Sequence, residues 1–154
     1  MSVIDSKLAE FGITLPTPSS PLAAYVPFAV SGKLVFISGQ LPYDNGKVQI
    51  TGSLGVNVDI ATGQKAARLC ALNILAHLKN ACGGDLDRVS ACVKLSGFVA
   101  SAPDFFDQPK VVNGASELMQ SIFGDAGRHS RFAVGVVALP LNAAVEVDAI
   151  FALR

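Results

Sequence analysis

Two short segments near the end of the chain alternate between apolar and charged side chains. In residues 145–148, the alternation places Glu146 and Asp148 on the same face of a strand. In residues 129–136, Arg131 and the two valines, Val134 and Val136, are expected to point to opposite faces of a strand. A carboxylate pair on a strand face is either solvated or lines a functional cleft, where one carboxylate could act as a general base. Spacing alone leaves both interpretations open.

We expect these two segments to form a hairpin, because residues 140–142, Pro-Leu-Asn, are a turn signal. With the hairpin centred on Leu141, Arg131 would pair with Phe151. Arg131 and Glu146 would then lie about 17 Å apart along the sheet. They could not form a direct ion pair within one chain. Either the register is unusual, or a neighbouring subunit brings one of them to a shared site.

His129 shares the strand parity of Arg131 and could add an acid-base group to the same cleft. The alternative is an ordinary loop histidine. The only other histidine is His77, and neither has the spacing of a metal ligand. We therefore expect no metal site.

The three cysteines are odd in number and lack Cys-x-x-Cys spacing, which is typical of reduced thiols in a cytosolic protein. The first residues contain an acidic side chain and no apolar run of signal length. Both observations predict a cytoplasmic location. The cysteines are Cys70, Cys82 and Cys92.

The composition is apolar for a chain of 154 residues, with 51% hydrophobic and 16% charged residues. No run of about 18 apolar residues is present, so we expect no membrane span and favour an oligomer that covers apolar surface.

Lys plus Arg and Asp plus Glu both number 12, and the basic residues are scattered. Because binding to a phosphate backbone needs clustered positive charge, we expect no nucleic-acid partner.

Hydrophobic periodicity predicts an α+β sandwich with a mixed sheet and two long helices on one sheet face. The other face would be bare, and subunit packing would cover it. The predicted elements are helix 2–11, strands 25–30, 34–38 and 48–50, helix 59–82, strand 89–99, helix 104–123, and strands 132–139 and 144–153.

Two sequence motifs resemble those of a known family. Residues 31–42 form an apolar strand that ends in Ser-Gly-Gln-Leu-Pro, and residues 131–140 read Arg-Phe-Ala-Val-Gly-Val-Val-Ala-Leu-Pro. With Val-Glu-Val-Asp-Ala-Ile at 145–150, they resemble the YjgF/RidA family of reactive-intermediate deaminases. By this resemblance, residues 21–154 are a single family domain and residues 1–20 are an N-terminal helix and linker extension.

The resemblance implies a fold like that of chorismate mutase and a homotrimer with clefts between subunits. It also implies hydrolysis of enamines and imines, such as 2-aminoacrylate, to 2-keto acids and ammonia. No cofactor is used in this reaction.

The resemblance also assigns roles to individual residues. Arg131 matches the arginine that holds the substrate carboxylate, which suits a guanidinium because it can donate two parallel hydrogen bonds. Glu146 matches the glutamate that orients or activates water. Ala133 matches a position, often cysteine, whose backbone contacts the substrate. The residues that match cleft-lining positions are Tyr25, Ser38 and Asn113, although Tyr25 could be an ordinary strand residue and Asn113 a polar surface residue.

Some positions depart from the family pattern. Ala23-Ala24-Tyr25 replaces Gly-Pro-Tyr, and residues 49–58 are remodelled. These changes flank the predicted cleft, so the family resemblance does not determine which substrate binds there. Two other functions stay open as well: a trimer that binds small carboxylates without turnover, and an endoribonuclease or translation inhibitor.

Overall fold

The computed structural model describes residues 1–18, 20 and 24–154. The elements are helices and strands in mixed order, joined by three short helical turns at 86–88, 124–127 and 140–142. They are α1 (Val3–Glu10), β1 (Phe28–Ser31), β2 (Leu34–Gln40), β3 (Tyr43–Asp44), β4 (Lys47–Val48), α2 (Ile60–Ala81), β5 (Val89–Ala100), α3 (Gln108–Phe123), β6 (Ser130–Val136) and β7 (Val145–Leu153).

Five strands form one mixed sheet in the order β1-β2-β7-β5-β6, and β3 and β4 form a separate two-stranded ribbon. The pairs β1–β2, β2–β7 and β5–β7 are antiparallel. β5 and β6 are the parallel pair among the described strands of this sheet, and α3 is the crossover between them. A parallel pair needs such a crossover, because the chain must return to the end where it began. The predicted α+β class is confirmed.

Helices α2 and α3 cover one face of the sheet, as predicted. Every second side chain of the strands points toward these helices, and these buried side chains form the hydrophobic core with those of the helices. The largest fully buried side chains include Val35, Leu95, Val99 and Phe151 from the sheet and Ile74, Leu75, Leu78, Leu118, Met119 and Ile122 from the helices.

On the opposite sheet face, here called the open face, none of the described residues forms a covering helix. Its large apolar side chains are partly exposed: Leu34 38%, Phe36 40%, Phe132 36% and Val134 41%. Register places them on one surface, since Phe36 pairs with Ile150 on β7 and Val134 pairs with Phe98 on β5. Contiguous exposed apolar surface of this kind is typical of an interaction face.

The predicted hairpin between the last two strands is wrong. β6 lies at the sheet edge, parallel to β5, while β7 inserts between β2 and β5. β5 therefore separates the two strands, and Arg131 pairs with Leu95 rather than with Phe151. The turn at 140–142 sends the chain across the end of the sheet instead of back along β6.

Most predicted bounds agree with the structure to within a few residues. Asp59 caps α2, with its carboxylate accepting from the Thr62 N–H at 2.8 Å. The second long helix starts at Gln108 rather than at 104. The first strand starts at Phe28, so Tyr25 lies in the segment before it.

Helix α1 is held to the rest of the chain by polar contacts at its first turn. The Asp87 carboxylate accepts from the N–H groups of Val3 and Ile4 at 2.8 and 2.9 Å. Lys79 of α2 forms a 2.7 Å ion pair with Asp5. The connector predicted after α1 falls partly on residues outside the described ones. No helix in the described ranges is long and apolar enough to cross a membrane.

Candidate functional site

Arg131, near the start of the edge strand β6, extends over α3. Its Nη1 donates to Asn113 Oδ1 at 2.8 Å and to Ser116 Oγ at 3.2 Å. Its Nη2 donates to the carbonyl oxygen of Pro109 at 3.3 Å. All three acceptors belong to α3, so Arg131 lies on the helix-covered side of the sheet.

These contacts leave part of the guanidinium available. An arginine side chain has five N–H donors, and the three bonds above use both donors of Nη1 and one of Nη2. Among the described residues, the Nε–H and the second Nη2–H of Arg131 have no acceptor. A carboxylate has two oxygens that can accept such a pair of N–H groups. The half-buried Arg131 is therefore held by neutral groups and is free to bind an anion.

A glycine on β5 lets α3 come close enough to receive Arg131. A Cβ at Gly97 would lie 2.5 Å from a methyl carbon of Val112 on α3. Gly97 pairs with Ala133 on β6, so the close approach occurs next to the arginine strand. Ala133 has the same parity as Arg131 and is half-buried. Because β6 is the edge strand, its outer backbone edge has no strand partner among the described residues.

Glu146 lies on the other side of the sheet. Its strand neighbours Val145 and Val147 are fully buried against the helices, so Glu146 points to the open face. Its pairing partner on β5 is Phe98, whose ring packs edge-on against Phe132 with centroids 5.3 Å apart.

The space for the Glu146 carboxylate comes from Gly39. A Cβ at Gly39 would lie 2.4 Å from Glu146 Oε1, a distance that real Cβ atoms do not adopt. The pairing of β2 with β7 is irregular between Ile37 and Gln40, which brings the Gly39 backbone toward Glu146. The Ser-Gly-Gln motif therefore has a direct steric reason for its glycine.

Burial raises the pKa of the Glu146 carboxyl above its ordinary value, and the nearby Asp148 carboxylate raises it further. Burial removes water that would stabilise the charged form, and a second negative charge opposes ionisation. A carboxylate with a raised pKa is a stronger base once ionised, which suits proton abstraction from water.

Ser38 and Tyr25 lie in the segments next to Gly39. The Ser38 hydroxyl donates to the carbonyl oxygen of Val26 at 2.7 Å, which ties β2 to the segment before β1. Tyr25 is 50% exposed and immediately precedes Val26. Ser38 directly precedes Gly39, which lies against Glu146, and Tyr25 is next to the Val26 that Ser38 contacts, so we group both with Glu146.

The remodelled segment 49–58 is attached at two points. Thr51 forms a bridge with Ala143, just before β7, and Leu54 forms one with Ser101, just after β5. The segment therefore lies at the end of the sheet where β7 begins, near the strand residues that lead into Glu146.

The predicted site residues thus fall into two half-sites. The arginine half-site contains Arg131, Asn113 and Ala133 on the helix-covered side, and the glutamate half-site contains Glu146, Ser38 and Tyr25. Within one chain the sheet separates them.

Sequence analysis missed Ser116, which belongs to the arginine half-site. Ser116 follows Asn113 by three residues on α3, and residues three apart share a helix face. This three-residue spacing is the feature of the sequence that could have identified Ser116. Ser116 also contacts the ring of His129 at 2.8 Å, so His129 reaches Arg131 through Ser116 and not directly.

The chain is similar to known proteins over nearly its whole length. A sequence model of the family described as "YjgF/chorismate mutase-like, putative endoribonuclease" matches residues 5–153. Protein TCP17 of Trypanosoma cruzi is 46% identical over 160 residues, and the match covers 100% of this chain and 99% of TCP17.

Two solved structures share the fold of this chain, one at high and one at lower sequence identity. Atu1372 from Agrobacterium tumefaciens has a TM-score of 0.92 and 51% identity, covering 99% of this chain and 93% of that protein. TdcF from E. coli, solved with bound serine, has a TM-score of 0.63 and 25% identity, covering 92% of this chain and 95% of TdcF. Each match extends over at least nine-tenths of both chains.

Proposed function

This chain belongs to the YjgF/chorismate-mutase-like family, and we propose that it hydrolyses small imines or enamines, such as 2-aminoacrylate, to 2-keto acids and ammonia. The observation that carries this proposal is the guanidinium of Arg131, which is held by neutral acceptors on α3 with two N–H donors left for a carboxylate. A base of raised pKa, Glu146, is available on the opposite face.

The proposed reaction divides its steps between the two half-sites. Arg131 holds the substrate carboxylate by two parallel hydrogen bonds, beside the backbone of Ala133. Glu146 takes a proton from water, the resulting hydroxide equivalent adds to the imine carbon, and the proton passes to nitrogen. The hydroxyl group of this adduct then gives its proton to nitrogen, and the C–N bond breaks to leave the keto acid and ammonia. An enamine first gains a proton on carbon and loses one from nitrogen to become the imine. Water and side chains supply every group in this scheme, so it needs no cofactor.

A complete site in this scheme requires a second copy of the chain. The arginine half-site of one subunit meets the glutamate half-site of the next, and we propose a homotrimer in which three such clefts form. The partly exposed apolar side chains of the open face, such as Phe36 and Phe132, support this assembly because subunit contact would remove them from water.

We place the reaction in the cytosol, where thiols stay reduced. The three cysteines are free and buried. Burial raises the pKa of the Cys92 thiol to about 12, and it also raises the pKa of Cys70 and Cys82. Buried thiols with raised pKa values are poor nucleophiles, which supports a packing role for the cysteines and leaves the chemistry to Arg131 and Glu146.

A trimer that binds carboxylates without turnover is the second candidate. TdcF of E. coli was solved with bound serine, an amino acid that carries a carboxylate. Arg131 would serve binding and catalysis equally well, whereas Glu146 is needed mainly for catalysis. An endoribonuclease is less well supported by the chain, because its net charge is zero and it has no tryptophan and two tyrosines.

The deciding experiment generates 2-aminoacrylate or 2-iminobutyrate in situ with a dehydratase and follows keto-acid release. We expect wild-type protein to accelerate release and Arg131→Ala to lose at least about 100-fold of kcat/KM, the scale of a lost charged anchor. Arg128→Ala is the matched control, since Arg128 is exposed and forms only a 3.9 Å ion pair with Asp125.

Two results would decide against the deaminase. Binding of keto acids without acceleration of any imine would favour the binding trimer. Cleavage of single-stranded RNA by highly purified protein, lost in Arg131→Ala, would favour the endoribonuclease.

A further inference from the structure

A chain of hydrogen bonds leads away from Arg131 on the side opposite its free donors. Arg131 Nη1 contacts Ser116 Oγ at 3.2 Å, and Ser116 Oγ contacts His129 Nε2 at 2.8 Å. The other ring nitrogen, His129 Nδ1, contacts the carbonyl oxygen of Gly127 at 2.7 Å. The chain thus joins β6, α3 and the turn at 124–127.

The last acceptor sets the direction of every bond. A carbonyl oxygen only accepts, so Nδ1 of His129 carries the hydrogen. In a neutral imidazole Nε2 is then the acceptor, and the Ser116 hydroxyl donates to it. The lone pairs of Ser116 Oγ are left for Arg131, whose N–H can only donate. A protonated His129 would break this order, because Ser116 would then face two cationic donors.

The positions of these groups are tightly constrained. Ser116 is 7% exposed, so its hydroxyl has little access to water as a substitute partner. A Cβ at Gly127 would lie 2.1 Å from the carbonyl oxygen of Met119 on α3. The turn at 124–127 therefore sits directly against α3, which fixes the Gly127 carbonyl that orients His129.

We propose that Ser116 and His129 are positioning residues that hold the guanidinium of Arg131 in its carboxylate-binding orientation. With both Nη1 donors engaged by Ser116 and Asn113, rotation of the guanidinium is restricted, and the Nε–H and second Nη2–H face the ligand side. A carboxylate then binds without first ordering the arginine side chain. This inference rests on the proposed carboxylate-binding function of Arg131.

The test measures pyruvate binding to the full chain by calorimetry. We expect Ser116→Ala and His129→Leu each to weaken pyruvate binding about tenfold, and the double variant to be no weaker than either single variant, because both changes interrupt the same chain. With 2-aminoacrylate, the loss should appear in KM, with kcat within about twofold of wild type. Ser121→Ala is the matched control, since Ser121 lies on the same helix and donates only to Glu117.

A second variant separates positioning from packing. His129→Gln retains an acceptor and a donor on a side chain of similar length, and it should recover most of the affinity that His129→Leu loses. Nitrogen NMR of the ring provides a readout that needs no ligand: His129 should carry its hydrogen on Nδ1, and the Nε2 signal should move in Ser116→Ala.

The outcomes separate this inference from the proposed function. A His129 ring with its hydrogen on Nε2, unchanged affinity in Ser116→Ala, or additive losses in the double variant would overturn the positioning role while pyruvate binding stands. If wild-type protein binds no pyruvate, the proposed function fails, and with it the ligand-orienting role of the two residues.

Discussion

Arg131 and Glu146 lie on opposite faces of one sheet, with β5 between their strands. Arg131 pairs with Leu95, and Glu146 pairs with Phe98, three residues farther along β5. An odd separation along a strand places two side chains on opposite faces. If Arg131 and Glu146 act on one ligand, as we propose, they therefore come from two different chains.

Mixing two inactive variants should restore activity. Arg131→Ala retains an intact glutamate half-site, and Glu146→Gln retains an intact arginine half-site. In a cyclic trimer, every mixed assembly has one site built from two intact halves, so random equal mixing should give about a quarter of wild-type activity. The measurement is imine hydrolysis after joint refolding of the two variants.

The control for mixing pairs Arg131→Ala with the double variant Arg131→Ala/Glu146→Gln, which offers no intact arginine half-site. This mixture should stay inactive. Equal activity in both mixtures, or none in either, would contradict a site shared between subunits.

Glu146→Gln should remove turnover and stabilise the fold at neutral pH. Burial and Asp148 raise the pKa of Glu146 in the folded chain, so the folded state binds its proton more tightly than the unfolded state does. Stability therefore falls as pH rises from the ordinary glutamate pKa through the raised one, and the loss is complete above it. The melting temperature of Glu146→Gln should exceed that of wild type at pH 8 and match it below about pH 4.

The same shift predicts the shape of the activity profile. Because the base must be ionised, the acidic limb of the kcat/KM profile should lie above the ordinary glutamate pKa, and any residual activity of Glu146→Gln should lack this limb. Glu117→Gln, a change at an exposed glutamate of α3, is the matched control and should leave both the melting temperature and the profile unchanged. A limb that persists in Glu146→Gln would assign the base to another residue.

Gly39→Ala should damage the site more than the fold. The added Cβ would meet the mobile end of the Glu146 side chain at 2.4 Å, so the carboxylate has to move. We expect a loss of about 10- to 100-fold in kcat and a stability cost of about 1–2 kcal/mol, the usual size for one overpacked methyl group. Chemical unfolding and steady-state kinetics measure the two effects.

The steric origin of the Gly39 effect can be checked directly. In a Glu146→Ala background the clash is absent, so Gly39→Ala should cost little further stability. The same cost in both backgrounds would point to a backbone effect at Gly39 instead.

Phe132→Glu should break the assembly while the single chain still folds. Phe132 is 36% exposed on the open face, so its replacement adds a charge to the surface that we propose is covered by a neighbour. We expect a monomer by sedimentation, a retained circular dichroism spectrum and no imine hydrolysis. Phe11→Ser, at an exposed aromatic just after α1, should leave the oligomer intact. An active monomeric Phe132→Glu variant would rule out the shared site.

Local patterns in the sequence were sufficient for most of the secondary structure. Helical spacing predicted α2 almost to the residue, and strand alternation assigned Glu146 and Asp148 to one face. Hydrophobic periodicity predicted the α+β class, and the two motifs indicated the family. These features depend on neighbours along the chain, and so a linear pattern contains them.

Strand pairing was decided only by the tertiary structure. β6 and β7 are consecutive in sequence, yet β7 pairs with β2 and β5, and its alternate residues Val145 and Val147 are buried against the helices. That choice depends on packing against α2 and α3, whose contacts are distant in sequence. It placed Arg131 over α3, where Ser116 and Asn113 hold it, and put Glu146 on the opposite face. The sequence by itself indicated Arg131 and Glu146 as candidate functional side chains, and the packing of the sheet decided that they lie on different surfaces.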